Sequence, residues 1–149
     1  MKTKTSWKAK LEKPAKAEVK PTPKGRMLIP RPIDVDALMK QVPRGRLVTT
    51  EQLRARLARD SGADYTCPMC TGIFVRIAAE AAAETIEEGA KAVTPFWRTL
   101  KADGSLNEKY PGGAANQARL LEQDGHTIVA GKGKKPPRVA DFEKHLVKL

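Results

Sequence analysis

Residues 49–89 read TTEQLRARLARDSGADYTCPMCTGIFVRIAAEAAAETIEEG, and the punctuation of this stretch decides the fold class. Thr49 or Thr50 can cap a helix that turns Leu53, Leu57 and Ala58 to one face and Arg54, Arg56 and Arg59 to the other. Ser61-Gly62 breaks that helix. Thr66 can cap the next one, and Pro68 suits a first helical turn, where a missing N–H costs nothing. Met69, Ile73, Phe74, Ile77, Ala78 and Ala81 keep helical spacing to about Glu88, and Gly89 is a natural stop. Two helices across a short turn, with another before them, outline a helix-turn-helix.

The flanks extend this outline. Met27-Leu28-Ile29 reads as a short extended segment ended by Pro30 and Pro32. Ile33 to Met39 reads as a helix, with Asp34 as its N-cap and Val35, Leu38 and Met39 as one apolar stripe. Downstream, Val93 to Leu100 has extended character and Asp103-Gly104 is a turn signal. Gly113 to Gln123 reads as a short helix closed by Gly125. Thr127 to Ala130 and Arg138-Val139 read as two strands around a basic loop, with a last short helix over Ala140 to Val147. The expected fold is α+β and mainly helical: a winged helix-turn-helix-like single domain over residues 27–149, with a small β-element as the wing.

Composition narrows the partner. The 149 residues suffice for one core, and the net charge of +11 favours a polyanion, nucleic acid before an anionic membrane surface. Residues 1–26 hold nine basic residues against two acidic ones, which places +7 of that charge there. Lys-, Pro- and Ala-rich, the segment offers little to bury, so a disordered basic tail is expected, held extended in parts by Pro14, Pro21 and Pro23. Phosphate attraction and plain solubility both explain such a tail, and docking of Trp7 on the domain is left open. No apolar run reaches the roughly 18 residues of a membrane span, and no apolar stretch of a secretory signal follows the basic N-terminus. Two cysteines three apart make no disulfide framework, which points to a cytoplasmic protein, nucleoid-associated if bacterial. A monomer is expected.

Few residues offer chemistry. Cys67-Pro68-Met69-Cys70 could be half of a zinc site, but the other ligands would have to be His126 and His145, far along the chain. A thioredoxin-like use lacks its βαβ context. Two small thiols, buried or half-buried at a helix start, is the favoured reading; because a helix N-terminus lowers a thiol pKa, Cys67 or Cys70 could still be moderately reactive without being catalytic. No metal and no cofactor is expected. Gly131 to Lys135 is a flexible basic loop and not a P-loop.

Four segments in order carry a resemblance. They are Val42-Pro43-Arg44-Gly45-Arg46-Leu47-Val48-Thr49-Thr50, then Pro95-Phe96-Trp97-Arg98-Thr99-Leu100, Asp103-Gly104-Ser105-Leu106, and Tyr110-Pro111-Gly112-Gly113 with Leu120 to Gly125. Over residues 42–125 the chain resembles the DNA-binding domain of the methylguanine-DNA methyltransferases and their alkyltransferase-like relatives. In that family a cysteine, activated by a histidine through water, accepts an alkyl group from guanine O6. The resemblance puts Phe96 and Trp97 at those two positions, and neither side chain can attack carbon or move a proton. Alkyltransferase-like proteins also replace the cysteine, usually with tryptophan, yet bind lesions. The family's nucleotide-rotating tyrosine falls on Thr50 and its finger arginine on or near Gly72, with Arg76 one helical turn further as a substitute. Arg98 is expected to support the site's structure rather than contact DNA. Phe96 and Trp97 either plug the former lesion pocket or line one still open.

The resemblance implies a non-catalytic DNA-binding protein that senses alkylated or distorted duplex DNA in repair. The DNA contacts expected are Thr49, Thr50, Thr71, Gly72 and Arg76, with Lys132, Lys134 and Lys135 from the wing; Pro95, Phe96, Trp97, Arg98 and Tyr110 form the former active-site segment. The acidic residues Glu80, Glu84, Glu87 and Glu88 confine contact to the N-terminal half of the recognition helix. Two alternatives stand beside this reading: a protein–protein adaptor on the same scaffold, and an alkyl acceptor using Cys67 or Cys70.

Overall fold

Thr49 sets the start of the central helix. Its Oγ1 accepts the Gln52 N–H at 3.2 Å while Gln52 Oε1 accepts the Thr49 N–H at 2.9 Å, a reciprocal cap. In the computed structural model, which describes residues 6–13 and 16–149, helix α3 then runs Thr50–Ser61 and ends at Gly62 in the left-handed region. Leu53, Leu57 and Ala58 face inward, as their spacing predicts. Helix α4 spans Pro68–Glu87 with Pro68 in its first turn. Its cap is Cys67, whose Sγ accepts the Cys70 N–H at 3.2 Å, and not Thr66. The Thr66 hydroxyl instead donates to the Arg54 carbonyl at 2.8 Å and ties the turn back to α3.

The chain before α3 departs from the expected tail. Helix α1 covers Trp7–Leu11, β1 covers Glu18–Thr22, and β2 covers Gly25–Ile29. The strands pair antiparallel, and β2 also pairs in parallel with β4 (Tyr65–Thr66), matching Met27 to Tyr65 and Leu28 to Thr66. The alternation that announces a strand is missing because Glu18 to Pro21 are exposed throughout; main-chain pairing orders β1 rather than side-chain burial. The tail assignment for residues 1–5, 14 and 15 lies outside the described residues. Helix α2 spans Pro32–Met39 with Arg31 as N-cap; Asp34, expected there, lies in the first turn and accepts the Arg31 N–H at 3.3 Å.

The core has two parts. Helices α2, α3 and α4 enclose the first with Leu28, Val35, Met39, Leu53 and Val75. Helix α5 (Gly113–Gln123), the parallel pair β3 (Val48–Thr49) and β5 (Thr99–Leu100), and the hairpin β6 (Ile128–Val129) with β7 (Arg138–Val139) surround the second. The architecture is a mainly helical α+β fold. Two further expectations change in detail. The last helix is a single 3₁₀ turn, Phe142–His145, whose Phe142 ring fills the space a Cβ at Gly104 would need. In α4, Met69 and Ile73 are 76% and 52% exposed, while Thr71, Val75, Ala78, Ala79 and Ala82 are buried. Apolar residues surround most of that helix, so periodicity leaves its phase open; its alanines, which admit close approach, are the face turned inward.

Beside α5, His126 is buried with its ring edge-on to His145, centroids 4.9 Å apart, and its Nε2 has no hydrogen-bond partner among the described residues. Burial and the neighbouring His145 push its pKa below the ordinary histidine value, against an opposing pull from Asp124. The folded state therefore binds this proton less readily than the unfolded chain, and stability falls as pH drops through about 6.5 and below. Thermal melts between neutral and mildly acidic pH should show a falling Tm for the wild type and a flatter profile for His126→Phe.

Candidate nucleic-acid interface

The segment 95–98, where the resembled family has its active site, is packed rather than open. Phe96 opens a 3₁₀ turn, Phe96–Arg98, and is 2% exposed. Its ring meets Trp97 and Tyr110 edge-on, both at 5.4 Å between centroids. Tyr110 donates its hydroxyl to the Thr99 carbonyl at 2.9 Å, and full burial drives its pKa far above the ordinary phenol value. Of the two readings of Phe96 and Trp97, the plug is the one the packing supports.

Asp124 holds this segment in place. Its Oδ2 accepts Trp97 Nε1–H at 3.0 Å and Arg98 Nε–H at 2.7 Å, and Arg98 also donates to the Val42 carbonyl at 2.9 Å. Burial works against the charge on Asp124, yet Arg98 and Trp97 hold its carboxyl below the usual range. Arg98 thus braces the structure, as the resemblance implies. Gln117, buried in α5, accepts the Asn107 N–H at 2.7 Å and donates to the Trp97 carbonyl at 3.1 Å.

A groove of about 600 Å³ opens between α3, the N-terminal half of α4 and the loop after β5. It gathers Thr50, Gly72 and Arg76, three of the expected DNA contacts, into one place. It also holds Arg54, Lys101 and Lys109, which sequence reasoning missed as site residues, and Lys10 and Trp7 from α1. Five basic side chains line it against one acid, Glu108. The outward face of α3 signalled Arg54, but nothing local placed Lys101 or Lys109 opposite it.

Other expected contacts lie elsewhere. Thr49 is buried and its hydroxyl oxygen is committed to capping α3. Thr71 is buried, its hydroxyl donating to the Cys67 carbonyl at 2.8 Å, because the inward face of α4 is rotated from the expected one. Lys132, Lys134 and Lys135 are exposed on the loop between β6 and β7 and do not line the groove.

The acidic end of α4 has its own partner. Glu84 accepts the N–H groups of Trp7 and Lys8, both at 3.0 Å, and Glu88 pairs with Lys8 Nζ at 2.5 Å. Basic α1 therefore lies along the acidic half of α4 and carries Trp7 to the groove, its ring centroid 5.8 Å from the Arg76 guanidinium and 4.0 Å from Lys10 Nζ.

The fold is similar to that of S. pombe Atl1. A crystal structure of that protein in complex with damaged DNA containing O6-carboxymethylguanine matches with a TM-score of 0.52 and 16% identity, over 79% of this chain and 94% of that one. A structure of S. pombe ATL in complex with DNA matches at 0.48 and 14%, over the same shares. No protein-family model and no curated protein matches the chain. The likeness to Atl1 lies in the path of the chain, and at such identity it assigns no residue a role.

The cysteines are free and half-buried at the start of α4. Burial and the neighbouring Cys67 push the Cys70 thiol up to about 11, the reverse of the lowering a helix N-terminus was expected to bring. At neutral pH Cys70 is a thiol and a poor nucleophile.

If Phe96 fills the core, truncating it leaves a cavity. Phe96→Ala should cost about 3–5 kcal/mol in denaturant unfolding; a cost under about 1 kcal/mol, the level of ordinary surface changes, would show that the ring lines open space.

Proposed function

We propose that this chain is a non-catalytic DNA-binding protein of the alkyltransferase-like kind, recognising duplex DNA that is alkylated or distorted. The observation that carries the reading is the groove in which Thr50, Gly72 and Arg76 meet five basic side chains. Such a surface attracts phosphate through Arg54, Arg76, Lys101 and Lys109, and the N-terminal half of α4 adds the favourable end of its dipole. The Atl1 fold supports the reading, since the matched structure of that protein holds damaged DNA. The adaptor reading needs the acidic end of α4 as a free surface, and α1 occupies Glu84 and Glu88.

Two observations weigh against alkyl transfer. Phe96 stands where the resembled family has its acceptor cysteine and is buried among aromatic rings. Cys70 holds its proton well above neutral pH.

Binding to a matched duplex should weaken steadily as salt rises, with the logarithm of affinity falling by roughly 0.9 per phosphate contact for each unit in the logarithm of salt. Arg76→Ala and Lys101→Ala should each weaken binding and flatten that slope by about one contact. Affinity indifferent to salt, or no binding at all, would sink the reading. Mass spectrometry of the intact protein after incubation with O6-alkylguanine DNA should show no added alkyl mass; an adduct on Cys67 or Cys70 would make the protein an acceptor instead.

A further inference from the structure

The groove holds more apolar surface than phosphate attraction needs. Met69 and Ile73 project from α4 into it, 76% and 52% exposed. Gly72 lies between them, within the helix, where glycine costs stability relative to alanine. No neighbour requires that glycine: a Cβ built there meets nothing within 4 Å. An alanine would fit there, so the glycine lowers the floor of a space that the protein itself leaves unfilled.

Trp7 stands at the wall of this space. Its position does not depend on its own ring, because the main-chain N–H groups of Trp7 and Lys8 are held by the Glu84 carboxylate. Cations from two helices, Lys10 and Arg76, lie over the indole ring, so a base that stacks there takes the place of one of them and leaves it to a phosphate. An indole among cations, over an apolar floor and beside open space, is the composition of a surface that stacks nucleobases while holding the strand's phosphates. Phosphates alone need the cations only, and an apolar peptide would gain nothing from five basic side chains against one acid.

We propose that Trp7 is a stacking platform for an unpaired base of a DNA strand, received in the groove over Gly72 and Ile73. This rests on the DNA-binding reading above and names the feature of the DNA that the groove selects: a base already out of its stack. Extrusion of such a base costs less than that of a paired one, which makes the platform selective for distorted duplexes.

The test compares two duplexes of the same sequence, one fully matched and one with a single unpaired thymine, titrated with the full chain. Wild type should prefer the unpaired-base duplex. Trp7→Ala should lower affinity for that duplex about tenfold and for the matched one much less, while Trp7→Phe keeps most of the preference. Glu84→Ala, which removes the anchor of α1 and leaves the indole intact, should reduce the ratio of the two affinities in the same direction. Equal affinity of the wild type for both duplexes overturns the platform and leaves general DNA binding standing. So does an equal loss on both in Trp7→Ala, or a gain on both, which would mean that α1 covers the groove against DNA. Absence of binding to either duplex overturns the DNA-binding reading itself.

Discussion

Asp124 is the point on which the rest of the structure turns. It sits at the end of α5, the helix beside the second core cluster, and grips Trp97 and Arg98. Trp97 packs on both clusters, and Arg98 reaches on to the Val42 carbonyl just after α2. A carboxylate at that depth is tolerable because Trp97 donates to it once and Arg98 twice, with Arg44 a further cation at 3.8 Å. In return it fixes the 3₁₀ turn that buries Phe96, and with it the loop that brings Lys101 and Lys109 to the groove.

Much of the scaffold was legible because its signals are local. Gly62 and Gly89 end helices, Pro68 opens one, and α5 falls on the expected residues. The α+β class and the order of elements follow from these marks. What stayed hidden depends on residues distant in sequence. Strand β1 has no apolar alternation, and α1 is too short to hold itself; each exists through a partner, β2 in one case and α4 in the other. The phase of α4 was illegible for a different reason, since a helix apolar on most sides can turn several faces inward. That phase turned Thr71 into the core and away from any ligand. The packing role of Phe96 and Trp97 was open from sequence, because aromatic rings can line a pocket as well as fill one.

The electrostatics of the chain also read differently once folded. A strongly basic N-terminal segment and an acidic helix end looked like independent features, one favouring DNA and the other opposing it. In the structure they meet: Lys8 answers Glu88, and Glu84 is used as a main-chain acceptor. The contact brings the acids under α1 and moves Lys10 and Trp7 toward the cationic groove. Exposed pairs of this kind add little to stability, so their effect is on where charge is presented more than on how tightly the fold holds.

The connections of the N-terminal segment also set an order of assembly. During synthesis β2 must wait for Tyr65 and Thr66 before its parallel partner exists, and α1 must wait longer, for Glu84 and Glu88. Elements made early in this stretch of chain are thus completed only after later ones. Until then the indole of Trp7 and the basic side chains around it have no acidic helix to rest on, and only the finished α4 gathers them along one groove.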